Sequence, residues 1–306
     1  MKLPSATPVN PRVKLAKPVA PPIGWPTLTM KTNPRLAARA TALGFTLLLA
    51  SCYEVPVTGR HALNTVSDSD MAKKSIAEFE HMKATHKLST DRALNDRLQR
   101  VGERLRNAIP IWDMPDADWE FVLFDDKGVN AFAMAGGKVG VLTGLFKIVE
   151  NDDQLASVLG HEIAHVTAKH TNSAESRAQA MEILGTAGMI AGMASPLGLY
   201  GASSAHGLYV LGATAVQFKF SREQEKEADY IGMIYMARAG YNPEECSKVL
   251  DKLDQLEAAE GNARAVTWTS SHPSNPERIG ALQDAVPKAL KAQKQAQAVN
   301  TPTVIK

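Results

Sequence analysis

Cysteine is nearly absent: two residues in 306, Cys52 and Cys246, leave no disulfide framework to hold a fold together. Charge imbalance is also missing. A net charge of +2 gives no electrostatic case for a nucleic-acid partner, and none is expected. Long unbroken apolar runs are lacking as well. Ala40 to Ala50 is too short to cross a bilayer as a mature helix, which takes about twenty residues. Ile183 to Phe218 contains no Asp, Glu, Lys or Arg, yet Ser195-Pro196, several glycines and His206 interrupt it. That interval is expected to form a helical hairpin or a mobile lid over a cleft, the competing reading being insertion into a membrane. What is present is a globular composition, 44% hydrophobic and 22% charged, with ample material for a core.

Composition changes sharply near the N-terminus. Residues 1–29 are rich in proline and lack periodicity, as expected of a disordered leader or of a start assigned upstream of the true one at Met30. Lys31, Arg35 and Arg39 then precede the apolar Ala40 to Ala50, and Leu49-Ala50-Ser51-Cys52 closes the segment. Residues 30–51 therefore form a secretory signal whose end is similar to a bacterial lipobox, implying cleavage before Cys52 and acylation of its thiol. A protein anchored this way is expected to face the periplasm, and by resemblance to the sorting of enteric lipoproteins, Tyr53 rather than Asp after the cysteine implies the outer membrane. Residues 52–64 follow as an irregular tether containing Pro56 and Gly59. The folded domain is expected over 65–290 and a flexible tail over 291–306.

The chemistry centres on His161-Glu162-Ile163-Ala164-His165, inside the apolar run Leu155 to Val166. On a helix, residues four apart share a face, so His161 and His165 can present ring nitrogens to one Zn²⁺ while Glu162 reaches the attacking water. A catalytic zinc takes three protein ligands. His170, nine residues after His161 and so half a turn away at roughly 100° per residue, falls on the opposite side and is given no role. The third ligand is sought in Ser221-Arg222-Glu223-Gln224-Glu225-Lys226-Glu227-Ala228-Asp229, a helix opening with a serine cap. Periodicity sets Glu225 and Asp229 on one face with Ala228, Gly232, Tyr235 and Met236, and sets Glu223 and Glu227 on a solvated face with Arg222, Lys226 and Arg238. Inward carboxylates are costly unless compensated, so Glu225 is assigned as third ligand and Asp229 as the group that orients a ligand imidazole.

With these residues on view, the chain resembles the gluzincin metalloproteases of the HtpX, Oma, LoiP and BepA type, peptidase family M48, as a bacterial lipoprotein member. The resemblance runs in order over roughly residues 65 to 285. It includes Asn130-Ala131-Phe132-Ala133, the Gly136 to Leu145 segment before the metal helix, and a late His272-Pro273. It implies a zincin-like α+β domain, mostly helical, with a small β-sheet beside the metal helix, and one Zn²⁺ per chain. It also implies hydrolysis of peptide bonds in misfolded or envelope proteins, with Glu162 as general base. His272 is a candidate fourth ligand or a donor to the oxyanion, a role for which His206 and Tyr230 also compete. No repeat array follows the domain, a departure from BepA. Two alternatives stay open: a non-proteolytic zinc-bearing assembly factor for outer-membrane proteins, and an integral-membrane protease held by 183–218.

Local signals place the supporting elements. Helices are expected from Ser67-Asp68 to about Leu88 and from Asp91 to Ile109, the latter with an apolar stripe of Leu94, Leu98, Val101, Leu105 and Ile109. Trp119 to Phe124, Asn130 to Met134 and Lys138 to Leu142 read as short strands. An exposed edge of that sheet would pair with an extended substrate, making Asn130, Gly137, Val139 and Val141 candidate substrate-strand residues. Asp152-Asp153 caps the metal helix, Asn242-Pro243 opens another to about Ala258, and a last helix begins near Ala281.

Overall fold

The pentapeptide lies on a helix that is apolar nearly all round, and such a helix is stable only inside a core. In the structure, a computed structural model, residues 52–114, 117–176, 179, 220–260, 268, 272 and 276–300 are described. The leader, the signal segment and the interval Ile183 to Phe218 lie outside the described residues. Among those that are described, no helix is long and apolar enough to cross a membrane.

The chain opens with a β-hairpin, β1 (Cys52–Glu54) against β2 (His61–Leu63), antiparallel with Cys52 opposite Leu63. Helices α1 (Asp68–Thr85) and α2 (Arg92–Arg106) follow, capped by Ser67 and Asp91, whose side chains accept from Asp70 N and Leu94 N. Those caps satisfy backbone donors left open by the first turn. The expected stripe of α2 is inward: Leu98, Val101 and Leu105 are fully buried. Next come β3 (Glu120–Phe124), β4 (Ala131–Met134) and β5 (Lys138–Leu142). They form one sheet in the order β3-β5-β4, with β5 parallel to β3 and antiparallel to β4. Gly136 and Gly137, both with φ above +80°, supply the two left-handed residues that a tight β4–β5 hairpin needs.

Helix α3 (Asp152–Thr167), which carries the pentapeptide, follows. Its N-cap is Asn151, whose side chain accepts from Gln154 N, while Asp152 and Asp153 occupy the first turn. The cap therefore falls one residue earlier than the sequence suggests, and the two aspartates act on the helix dipole instead. Helix α3 packs on α2, α4 (Arg222–Arg238), α5 (Glu245–Glu260) and strand β4. Leu155, Leu159 and Ile163 are at most 1% exposed, each contributing roughly 1.5–3 kcal/mol by burial.

Two expectations fail at the ends of the domain. The segment over 52–64 is no irregular tether: it folds into the hairpin, Val55 and Ala62 join the core, and the Tyr53 hydroxyl donates to Thr167 O at 2.7 Å. Alternating apolar residues in a short segment are a weak signal until the surface they cover is known. At the other end, α6 (Pro276–Asn300) runs through residues 291–300 instead of fraying. Its Lys, Gln and Ala are strong helix formers, Ala289 is fully buried, and Gln293 Nε2 donates to Tyr241 O.

Candidate metal centre

Two helices meet here at their glycines. A Cβ on Gly232 of α4 would lie 2.6 Å from Gly160 C and from His161 N of α3, so only glycine permits the approach. That contact holds the first turn of α4 over the imidazoles of α3. The same turn is fixed by a capping box in which Ser221 Oγ accepts from Gln224 N and the Gln224 side chain accepts from Ser221 N. Glu225, one residue on, has no exposed surface.

Four donor atoms converge from these elements and from the segment between α5 and α6. His161 Nε2 is 3.1 Å from His165 Nε2 and 3.3 Å from His272 Nδ1. Glu225 Oε1 is 3.4 Å from His165 Nε2 and 3.0 Å from His272 Nδ1, and its Oε2 is 3.5 Å from His161 Nε2. A tetrahedron with ligands about 2.0–2.1 Å from its centre has edges of about 3.3 Å. The separations of 3.0–3.5 Å among these atoms are close to that edge. Three buried ring nitrogens turned on one another, with Glu225 Oε1 among them, are unfavourable without a cation at their centre. The donor set therefore fits Zn²⁺, with His161, His165, Glu225 and His272 able to hold it.

A further layer fixes those donors. Asp229 Oδ1 stands 2.9 Å from His161 Nδ1, at ion-pair distance although not aligned as a hydrogen bond. Arg278, wholly buried, grips Asp229 with Nε and Nη2 at 2.8 Å each and places Nη1 2.9 Å from Glu225 Oε2. The Trp268 indole N–H donates to Glu162 Oε1 at 2.7 Å. His272 is stacked between Trp268 and Phe220, with ring centroids 5.0 and 5.3 Å away. His170 Nδ1 lies 2.9 Å from His165 Nδ1, and its Nε2 lies 2.9 Å from Glu227 Oε2. Arg60 and Thr58 of the hairpin hold the same carboxylate.

Charge follows this geometry. Burial opposes protonation of His161, but Asp229 and Glu225 outweigh it and raise the group to about 9. Burial dominates at His165 and lowers it well below the ordinary imidazole range. Burial would raise Glu225, yet hydrogen bonds from His161, His165 and His272 hold it far below the carboxylate range. Burial likewise opposes ionisation of Glu227, and His170, Arg60 and Thr58 bring it down to about 2.

The structure brings together His161, Glu162, His165, Glu225, Asp229 and His272. Cys52 opens β1, opposite Leu63. Tyr230 faces α6, with Lys288 Nζ 5.8 Å from its ring centroid, and His206 lies outside the described residues. Three expectations need correction. Val139 and Val141 sit on β5, the central strand, with both backbone edges already paired and no exposed surface. Gly137 leads into that strand, so neither it nor the two valines offers a free edge; the outer strand is β4, which Asn130 precedes. His170 is not on the far side of a continuous helix. Helix α3 ends at Thr167 and Lys169 turns left-handed with φ 54°, which resets the 100° count and returns His170 to His165. Glu227 is not solvated either: its side chain is 9% exposed because the hairpin covers that face. Sequence reasoning missed Trp268, which had no local signal, and Arg278, which had a partial one. Arg278 shares a helical stripe with Leu282 and Ala289, both buried, and an inward arginine requires carboxylate partners.

Comparison with known proteins places these residues in context. The sequence profile of peptidase family M48 matches residues 92–286. The chain is similar to the mitochondrial metalloendopeptidase OMA1 of Schizosaccharomyces pombe, 31% identical over 238 residues, 77% of this chain and 66% of that protein. It is also similar to OMA1 of Saccharomyces cerevisiae, 34% identical over 176 residues, 56% of this chain and 48% of that protein. The beta-barrel assembly-enhancing protease of Escherichia coli is 29% identical over 229 residues, 74% of this chain and 45% of that protein. The matches thus span between about half and just under two thirds of these relatives' lengths.

Proposed function

Because this chain belongs to peptidase family M48, we propose that it is a zinc metalloendopeptidase in which His161, His165 and Glu225 hold the metal and Glu162 is the general base. The observation that carries this reading is the convergence of four buried donors directly beside the Glu162 carboxylate. Zinc bound there would supply Lewis acidity, polarising the scissile carbonyl and making a water acidic near neutral pH. Glu162 takes the proton of the attacking water and delivers it to the leaving amine. Its free oxygen is available for this because Trp268 holds Oε1. Asp229, itself anchored by Arg278, keeps His161 turned toward the metal. His272, grouped with the other three donors, is assigned as a fourth residue that would hold the metal in a resting state. Its 3.0 Å approach to Glu225 supports that role over one as oxyanion donor. An extended peptide pairs with the outer edge of β4 through its backbone, which gives loose sequence preference.

The cellular reading is a lipoprotein of the bacterial envelope, outer-membrane anchored through acylated Cys52, acting on misfolded or envelope proteins. The lipobox-like Leu49 to Cys52 supports the anchor, and the similarity to a protease named for β-barrel assembly supports the substrate class. The test is zinc content measured together with casein cleavage. Glu162→Gln is expected to keep one zinc per chain and lose 10²–10⁴-fold in cleavage rate, whereas His161→Ala and Glu225→Ala lose both metal and activity. Full cleavage by zinc-loaded Glu162→Gln would remove the base assignment. Intact envelope function in that variant would favour the non-proteolytic assembly role.

A further inference from the structure

We infer that His170 and Glu227 are positioning residues that set the proton on His165, and that the hairpin β1–β2 controls metal retention through Arg60. This inference rests on the reading of His165 as a zinc ligand. The geometry forms a chain. Arg60 Nε and Nη2 contact Glu227 at 2.9 and 2.6 Å, and Thr58 Oγ1 donates to Glu227 Oε1 at 2.8 Å. Glu227 Oε2 meets His170 Nε2 at 2.9 Å, and His170 Nδ1 meets His165 Nδ1 at 2.9 Å. His170 has no exposed surface, so water supplies no alternative partner.

With both imidazoles neutral, proton count along this chain has one consistent solution. An ionised carboxylate held by a guanidinium only accepts, so His170 carries its hydrogen on Nε2. Its Nδ1 is then bare and can only accept, which requires the hydrogen of His165 to sit on Nδ1. The His165 Nε2 lone pair is thereby left facing His161 and Glu225, 3.1 and 3.4 Å away. That tautomer is the one a metal needs, and a partner on the far nitrogen is the usual means of enforcing it. His161 has Asp229 for the purpose; His165 has a two-step relay that ends on a segment more than one hundred residues earlier in the chain. Docking of the hairpin, next to Cys52, is thus coupled to the metal centre by four side chains.

The test is the rate at which the zinc-loaded full chain gives up metal to a chromophoric chelator, with the visible spectrum of the Co²⁺-substituted protein as a second readout. His170→Leu keeps volume but offers no acceptor, and is expected to speed release 10–100-fold. His170→Asn restores an acceptor near the Nδ1 position and should recover most of that loss. Arg60→Ala, at a side chain 44% exposed, should speed release several-fold in the wild-type background and add nothing to His170→Leu. A general packing role would instead give equal losses for Leu and Asn, or an Arg60→Ala effect undiminished in the His170→Leu background; either result overturns the relay. If the His170 variants do not fold, an unchanged release rate and cobalt spectrum in Arg60→Ala overturns it alone. Zinc retained by His161→Ala would show that the metal sits elsewhere, and the ligand reading itself would then fall. Zinc lost from His161→Ala but released at the wild-type rate from His170→Leu would remove only the relay.

Discussion

Arg278 shows how one side chain can decide the state of several others. It is wholly buried and faces two carboxylates, Asp229 and Glu225, each expensive to keep ionised away from water. Replacing it with leucine leaves a carboxylate pair that burial drives toward protonation, beside histidines that need those carboxylates charged. Arg278→Leu is therefore expected to destabilise the protein by about 3–5 kcal/mol and to weaken zinc retention. Urea unfolding with and without chelator checks this: a loss seen only in the zinc-loaded protein would mean that Arg278 serves the metal and not the fold. Arg278→Lys should remain well below wild type, since an ammonium cannot replace the bidentate grip on Asp229. At this scale the sequence is legible where one helical period governs the residue. The spacing of His161, His165, Glu225 and Asp229 alone puts each on an inward face, and all four lie at the centre. It is illegible where an element ends or another covers it. Lys169 breaks the helix before His170, and the hairpin hides Glu227. Trp268 reaches Glu162 from a separate segment, with no local pattern to announce it.

Among the elements, α3 has to be both buried and correctly oriented, and its first turn bears that task. Asp152 accepts from Arg97 Nε at 2.9 Å and from Arg100 Nη2 at 2.8 Å, tying α2 to the positive end of the α3 dipole. Burial opposes ionisation of Asp152, but Arg100 and Arg97 outweigh it and hold the group below the ordinary carboxylate value of 3.8. A lowered value means stability that is present above the unfolded-state value and is lost as pH falls through the folded-state one. Asp152→Asn is accordingly expected to cost about 1 kcal/mol near neutral pH, the figure being modest because the pair is partly solvated. The gap to wild type should close as pH drops below about 4, as thermal melts across pH 3 to 7 would show. A gap constant across that range would assign the cost to lost packing. Strand and helix positions were legible to within a few residues because apolar alternation and the 3.6-residue stripe are strong signals here. Sheet order was not. Nothing local tells β5 that it will be central, since its parallel partner β3 is reached only through an intervening hairpin.

For the molecule as a whole, the chain segment that precedes α1 belongs with the hydrophobic core. Val55 is 1% exposed and Ala62 is 6% exposed within the main cluster. Tyr53 ties down the end of α3 through Thr167 O, and Arg60 ties down α4 through Glu227. A tether would contribute to neither stability nor metal affinity, whereas a docked hairpin is expected to contribute to both by separable routes. Burial of Val55 and its neighbours is worth roughly 2–3 kcal/mol, which for a domain of this size corresponds to a fall of about 5–10 °C in Tm when residues 52–64 are deleted from the full chain. The same deletion removes Arg60 and Thr58 from Glu227, so zinc release should quicken at least as much as in Arg60→Ala. Comparing the two variants separates the effects, because Arg60→Ala leaves the apolar contacts in place and should lower Tm by little while sharing the faster release. Deletion with unchanged Tm and unchanged zinc release would return the segment to the status of a linker. A lower Tm with unchanged release would keep the hairpin as a structural cover but disconnect it from the metal.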